Sequence, residues 1–189
     1  MSWIAIVPLK AAGTRKTRLI GALHEDAHAT LTVDMAQHVI ATLATVAAIG
    51  SIRVLSPAPD AMAGTVWEPD RGEGLNAELD RMCEALEGQR LLIIHADLPL
   101  LSTSDLHALI AAAEVHGAAI APDRHGQGTN ALALRAAARI GLAFGPNSFA
   151  RHLQRMAGAA FVRRDGLALD IDTSDDIAAA RRVLPLGRW

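Results

Sequence analysis

Tyrosine is absent from this 189-residue chain, cysteine occurs once, and aromatic residues make up only 3% of it. A lone cysteine, Cys83, excludes both a disulfide framework and a cysteine-ligated zinc site. No apolar run approaches the length of a membrane span; even Leu91–Leu101 is broken by His95 and Asp97. A formal net charge of −2 gives no electrostatic reason to expect nucleic acid as a partner. "MSWIAIVPLK" has no basic leader, and its apolar stretch is too short for a signal peptide, so a cytoplasmic location is expected. Lysine is also scarce: Lys10 and Lys16 stand against sixteen arginines, and both fall in "PLKAAGTRKTRL". One reading is chance in an arginine-biased chain. The other is a compact ammonium pair aimed at phosphates, which the planar arginine fork serves less well.

What is present is alanine, leucine and a regular order of elements. Half of the residues are apolar, and the length suits one domain, residues 1–189. Strand and helix patterns alternate with short connections, which predicts an α/β fold with a largely parallel sheet. "WIAIVPL" reads as a strand covered on both faces. Helical spacing runs from Asp26 to Ile49, with Gly50 as its stop and "SIRVL" as the next strand. "TVWEP" is a short extra strand, Leu75 to Leu86 a helix, and "RLLIIH" a strand. Ser102 or Ser104 caps the following helix, which closes at Gly117. "AAIAP", "TNALALR", "AAFVRR" and "LALDI" are strand candidates, and "PNSFARHLQRMAG" a short helix. A last helix starts at Thr173 or Ser174.

In such sheets ligands bind beyond the carboxyl ends of the strands, and three features stand there. The loop with Lys10, Gly13, Arg15 and Lys16 follows the first strand; it lacks a Walker A pattern but could wrap a triphosphate. "GEGLNA" formally matches a dinucleotide fingerprint in poor context. Its Gly74 and Asn76 fit either a loop approached by a nucleotide base or an ordinary turn before a helix. Carboxylates form the third feature: Asp97 ends "RLLIIHAD", and Asp170 with Asp172 flank Ile171 on one side of the expected strand "LALDI". Massed carboxylates repel unless a cation lies between them, and magnesium accepts a few carboxylates with phosphate oxygens. Taken singly, Asp97 fits a loop role and Asp172 a helix cap. Thr129 and Asn130 enter a strand, while Gly145 and Ser148 flank a helix start able to receive an anion. His95 reads as a packed neighbour and Cys83 as core.

Together, "VPLK" with "KTRL", "GEGLNAEL", "HADLPLL", "PDRHGQGTNALAL", "FGPNSFARH" and "LDIDTSDDI" resemble the phospholactate guanylyltransferase family of coenzyme F420 biosynthesis. That family is related to the molybdopterin guanylyltransferases. The resemblance implies a Rossmann-like, GT-A-like nucleotidyltransferase fold, with a mostly parallel central sheet and helices on both faces. It implies transfer of GMP from GTP to a small phosphorylated acid (2-phospholactate, phosphoenolpyruvate or 3-phosphoglycerate) with release of pyrophosphate. It also implies Mg2+ as cofactor on Asp97, Asp170 and Asp172, and acid contacts from Thr129, Gly145 and Ser148. Lys10 and Lys16, with Asp97, are the catalytic residues it implies; Gly13, Arg15, Gly74 and Asn76 complete the nucleotide site. An anionic acceptor needs no general base, only in-line positioning and charge neutralisation. A molybdopterin or sugar nucleotidyltransferase is the alternative enzyme, and a non-catalytic nucleotide-binding regulatory domain the alternative class. No membrane or nucleic-acid partner is expected, and a homodimer is the assembly kept open.

Overall fold

Trp3–Pro8, the first strand β1, is buried along most of its length because neighbours cover both of its faces. The computed structural model describes residues 2–9, 25–59 and 62–183. After β1 come α1 (Glu25–Ala44), β2 (Ile49–Ser56), β3 (Val66–Pro69), α2 (Leu75–Ala85) and β4 (Arg90–Ile94). Then follow α3 (Thr103–His116), β5 (Ala118–Pro122), β6 (Thr129–Leu134), α4 (Ser148–Arg155), β7 (Ala160–Phe161), α5 (Asp165–Ala168) and α6 (Ser174–Val183).

The strands form one sheet in the order β3-β2-β1-β4-β6-β5-β7. Every neighbouring pair is parallel except those made by β6, which runs against both β4 and β5. Alternate residues of the central strands face opposite layers, as strand geometry requires. Trp3, Ala5, Val7, Leu92 and Ile94 pack on α1 and α3 through Val39, Leu43, Leu106 and Leu109. Ile4, Ile6, Leu91 and Ile93 pack on α2 through Leu79, Met82 and Cys83. Helices therefore cover both faces, as the continuous apolar strands implied. Cys83 is fully buried in this layer. Burial, and then the nearby Asp80 charge, push its thiol up to about 12, which makes it inert core.

Several bounds differ from the sequence pattern: "AAFVRR" is a strand only at Ala160–Phe161, and two other differences are larger. The helical spacing that continues to Ile49 is cut at Ala44, because Ile49 pairs with Trp3 in the sheet. Gly50 then serves the strand rather than the helix end. A Cβ there would lie 2.5 Å from the Ser2 hydroxyl oxygen, so glycine permits the close passage of the chain start. The second difference matters more: "LALDI" is not a strand. Asp165–Ala168 is a short helix, and residues 169–173 are irregular. Its alternating apolar residues still go inward, Leu167 under α1 and α3 and Leu169 with Ile171 against Met35 and Ala180. The period-two pattern came from burial of a loop, not from a ladder.

The ends of α3 and α6 follow their cap residues. Ser102 and Asp105 bond reciprocally at the start of α3, and Gly117 closes it. At α6, Thr173 and Asp176 make the same exchange. Asp105 also accepts from Arg164 Nε at 2.5 Å, which fastens α5 beside α3. This junction leaves no room at Gly166, where a Cβ would press on the Asp105 carboxylate and stand 2.6 Å from the Leu100 carbonyl oxygen. Gly166→Ala is expected to destabilise the chain by about 1–3 kcal/mol through overpacking. Urea unfolding checks this, and an unchanged midpoint would show that the junction yields freely.

Candidate active site

The chain leaves β1 toward β2 on one side and takes β4 to the other, so the strand order reverses between β1 and β4. A crevice is expected at such a switch point, outside the carboxyl ends of the strands. A cleft of about 520 Å³ lies there, lined by Pro8 and Leu9 after β1 and by His95, Ala96 and Asp97 after β4. Because β6 is antiparallel, its first residues lie at this same edge. The His95 N–H donates to the Asn130 carbonyl at 2.9 Å. Lys10, Gly13, Arg15 and Lys16 lie outside the described residues.

Asp97, Asp170 and Asp172 all line the cleft. They come from distant parts of the chain, and one backbone bond sets them side by side: the Ile171 N–H donates to the Asp97 carbonyl at 3.2 Å. The segment carrying Asp170 is fastened by Asn130. Its side-chain amide donates to the carbonyls of Leu167 (3.0 Å) and Ala168 (3.2 Å) and to Asp170 Oδ1 (3.3 Å). Asp172 gives its N–H to Asp176, and Thr173 supplies the α6 cap. Burial, and then the charges of Asp97 and Asp172, push the Asp170 carboxyl up to about 7. Charging Asp170 therefore opposes the fold, and the stability its protonated form contributes is lost as pH rises through 7.

The all-oxygen donor set and its mutual repulsion fit a hard divalent cation, which would relieve the repulsion. Among the described residues no three acidic, histidine or cysteine groups stand gathered as a ready-made metal cage.

The opposite wall is an irregular segment whose backbone is held by side chains. Three successive N–H groups have partners: Leu142 on Asp80 (2.9 Å), Ala143 on His152 Nε2 (3.0 Å), and Phe144 on Asn76 Oδ1 (2.7 Å). Asn76 also returns a bond to the Phe144 carbonyl at 3.1 Å. Its amide thus clamps this wall rather than standing open to a base. Phe144 and Gly145, the latter at φ 114, face the cleft. Gly74 is exposed at the start of α2, beside the cleft residue Leu75. Thr129 and Ser148, both expected to contact the acid, are buried just behind this wall. The Thr129 hydroxyl lies 3.0 Å from His152 Nδ1.

The site thus contains residues to which the sequence pattern gives no role. Asn130 and His152 are fully interior polar groups, and Asp80 sits one helical turn after Asn76. The signal for Asn130 was its place beside Thr129 in an otherwise apolar strand; that for His152 was its i+4 spacing from Ser148. Burial, then Arg155, Arg151 and His95, hold the His152 imidazole down at about 4. It stays neutral in the fold, whereas the unfolded chain takes up a proton near 6.5. Its stabilisation is complete above pH 6.5 and is lost as pH falls toward 4, by roughly 3 kcal/mol. Wild type should lose about that much more stability than His152→Gln between pH 7 and 4 in urea titrations; equal losses would contradict it.

Comparison with known proteins finds relatives along nearly the whole chain. A family model described as guanylyl transferase CofC like matches residues 3–179. The chain is similar to a phosphoenolpyruvate guanylyltransferase from Sphaerobacter thermophilus, 37% identical over 99% of this chain and 96% of the relative. A phosphoenolpyruvate guanylyltransferase from Chloroflexus aurantiacus is 33% identical over 95% and 94%. Among solved structures, a 4-diphosphocytidyl-2C-methyl-D-erythritol synthase from Anaerococcus prevotii matches with a TM-score of 0.65 at 12% identity, covering 96% of this chain and 95% of that one. At that identity the likeness concerns the fold alone. Among the described residues no helix is long and apolar enough to cross a membrane.

Proposed function

The chain belongs to the guanylyl transferase family, CofC-like, and from that premise we propose that it transfers GMP from GTP to phosphoenolpyruvate, releasing pyrophosphate. An oxygen of the acceptor phosphate attacks the α-phosphorus of GTP, the bond from that phosphorus to the bridging oxygen breaks, and pyrophosphate leaves. No electrons are exchanged, and the attacking oxygen is already anionic, so no general base is required. What the protein must supply is alignment and neutralisation of charge.

The observation that carries this reading is the convergence of Asp97, Asp170 and Asp172 on one cleft at the switch point of the sheet. These carboxylates would hold magnesium, which when bound polarises the α-phosphate and offsets its charge. Asp97 and Asp170 are held by a backbone bond and by Asn130. The Phe144–Gly145 wall bounds the acceptor side, with Thr129 and Ser148 behind it. Lys10 and Lys16 would draw charge toward the departing pyrophosphate. The choice of acceptor rests on the name shared by the Sphaerobacter and Chloroflexus relatives. We read the product as a precursor in coenzyme F420 biosynthesis, made in the cytoplasm.

Pyrophosphate release tests this. The chain with magnesium is offered GTP or ATP, each with phosphoenolpyruvate, 2-phospholactate or 3-phosphoglycerate. Release with GTP and phosphoenolpyruvate should exceed every other pairing. A clear preference for another acid would reassign the acceptor, and no release with any acid would overturn the function.

A further inference from the structure

His152 is fully buried, yet it sits where α4, β6 and the cleft wall meet. Its two ring nitrogens have different duties, and the backbone decides which is which. The Ala143 N–H can only donate, so Nε2, 3.0 Å away, must accept and carry no proton. The ring is neutral, so the proton is on Nδ1, which donates to Thr129 Oγ1 at 3.0 Å. With a lone pair of its oxygen occupied in this way, the Thr129 hydroxyl hydrogen is turned away from the imidazole and free to donate elsewhere. A Thr129 facing the other tautomer would be locked as a donor into the protein.

The surroundings keep this arrangement from rotating. Phe144 meets the ring edge-on, with centroids 4.9 Å apart and planes at 69°, and Phe144 also contacts His95 at 5.3 Å on the cleft side. Ser148 precedes His152 by four residues on α4, hence on the same face, and donates its N–H to the Gly145 carbonyl at 3.1 Å. Thr129 thus bonds the imidazole directly, while Ser148, bonded to Gly145, lies one helical turn before it.

We propose that His152 is a positioning residue that fixes the Thr129 hydroxyl as a hydrogen-bond donor for the phosphorylated acid substrate. This rests on the guanylyl transfer proposed above and on the contact between Thr129 and the acid that the family resemblance implies. The imidazole touches neither substrate nor metal; it acts through Thr129 and through the Ala143 amide of the wall.

The two nitrogens can be tested separately. In His152→Gln the longer side chain places its carbonyl near the old Nε2 and can receive the Ala143 N–H, but offers Thr129 no donor at the Nδ1 position. In His152→Asn the shorter amide can donate at the Nδ1 position. Steady-state kinetics with phosphoenolpyruvate and GTP should show the KM for phosphoenolpyruvate raised about tenfold in His152→Gln, with the KM for GTP within twofold. His152→Asn should recover most of that loss. Thr129→Val should raise the same KM comparably, and adding His152→Gln to it should cost little more, since both remove one interaction. Melting temperatures recorded alongside separate a loosened fold from a misdirected hydroxyl. The inference is overturned if His152→Gln raises both KM values alike, leaves them unchanged, or adds in full to Thr129→Val. Wild-type chain that shows no transfer overturns the function and this inference with it; wild-type transfer with any of those three patterns overturns the inference alone.

Discussion

Asp97→Asn is expected to lower guanylyl transfer about a thousandfold or more while leaving the fold intact. Asparagine keeps the shape of the side chain, removes its charge and exchanges one acceptor oxygen for an NH2 donor. The bond that docks residues 169–173 onto this position uses the Asp97 backbone carbonyl, which the substitution does not touch. Loss of the charge also eases the repulsion that burdens Asp170, so melting in the absence of cation should be unchanged or slightly higher. Activity behaves oppositely, because the transition state gathers negative charge where the carboxylates hold the neutralising ion. The two readouts together are diagnostic. Near-normal magnesium-dependent turnover would remove Asp97 from the metal site, and a collapse in melting temperature would recast it as a structural residue.

The second large effect falls on Asn130. Its amide satisfies the buried Leu167 carbonyl and the half-buried Ala168 carbonyl, and reaches Asp170 Oδ1. Asn130→Ala leaves those largely interior acceptors without their donor, which is expected to cost roughly 1–3 kcal/mol. Asn130→Asp should be worse, since it points a carboxylate at two carbonyls and at a carboxylate already burdened by its neighbours. Both variants should lose activity beyond what their stability explains, because Asp170 is no longer held beside Asp97. Urea unfolding and turnover measured well below the unfolding midpoint check this. An Asn130→Asp chain as stable as wild type would show that the amide is not what fastens the segment.

These residues show how much of the molecule was legible in its sequence. The parallel strands and their covering helices could be read because burial on both faces writes continuous apolar runs, and the caps at Ser102, Gly117 and Thr173 follow local chemistry. Asp97 stood out as a charge at the end of such a run. Asp170 and Asp172 could be paired with it through the resemblance, but the reason for their proximity could not. "LALDI" carries a strand pattern because its apolar residues fill two separate cores, whereas its backbone is held by Asn130 and by Asp97, 37 and more positions away. Asn76 illustrates the same limit. Its spacing after a glycine loop suggests a ligand, but Phe144, 68 residues on, takes its amide. Long-range side-chain-to-backbone bonds leave no periodic trace, so neither the clamp on the wall nor the tautomer of His152 is written in any local motif.

The most direct test of the account follows phosphorus. GTP and phosphoenolpyruvate are incubated with the wild-type chain and magnesium and observed by 31P NMR. The account predicts a new pair of coupled signals from a diphosphate bridge joining the guanosine phosphate to the acid's phosphate, growing together with pyrophosphate one for one and absent with Asp97→Asn. Pyrophosphate or inorganic phosphate appearing without the bridged product would contradict it, as would bridged product formed equally well by Asp97→Asn.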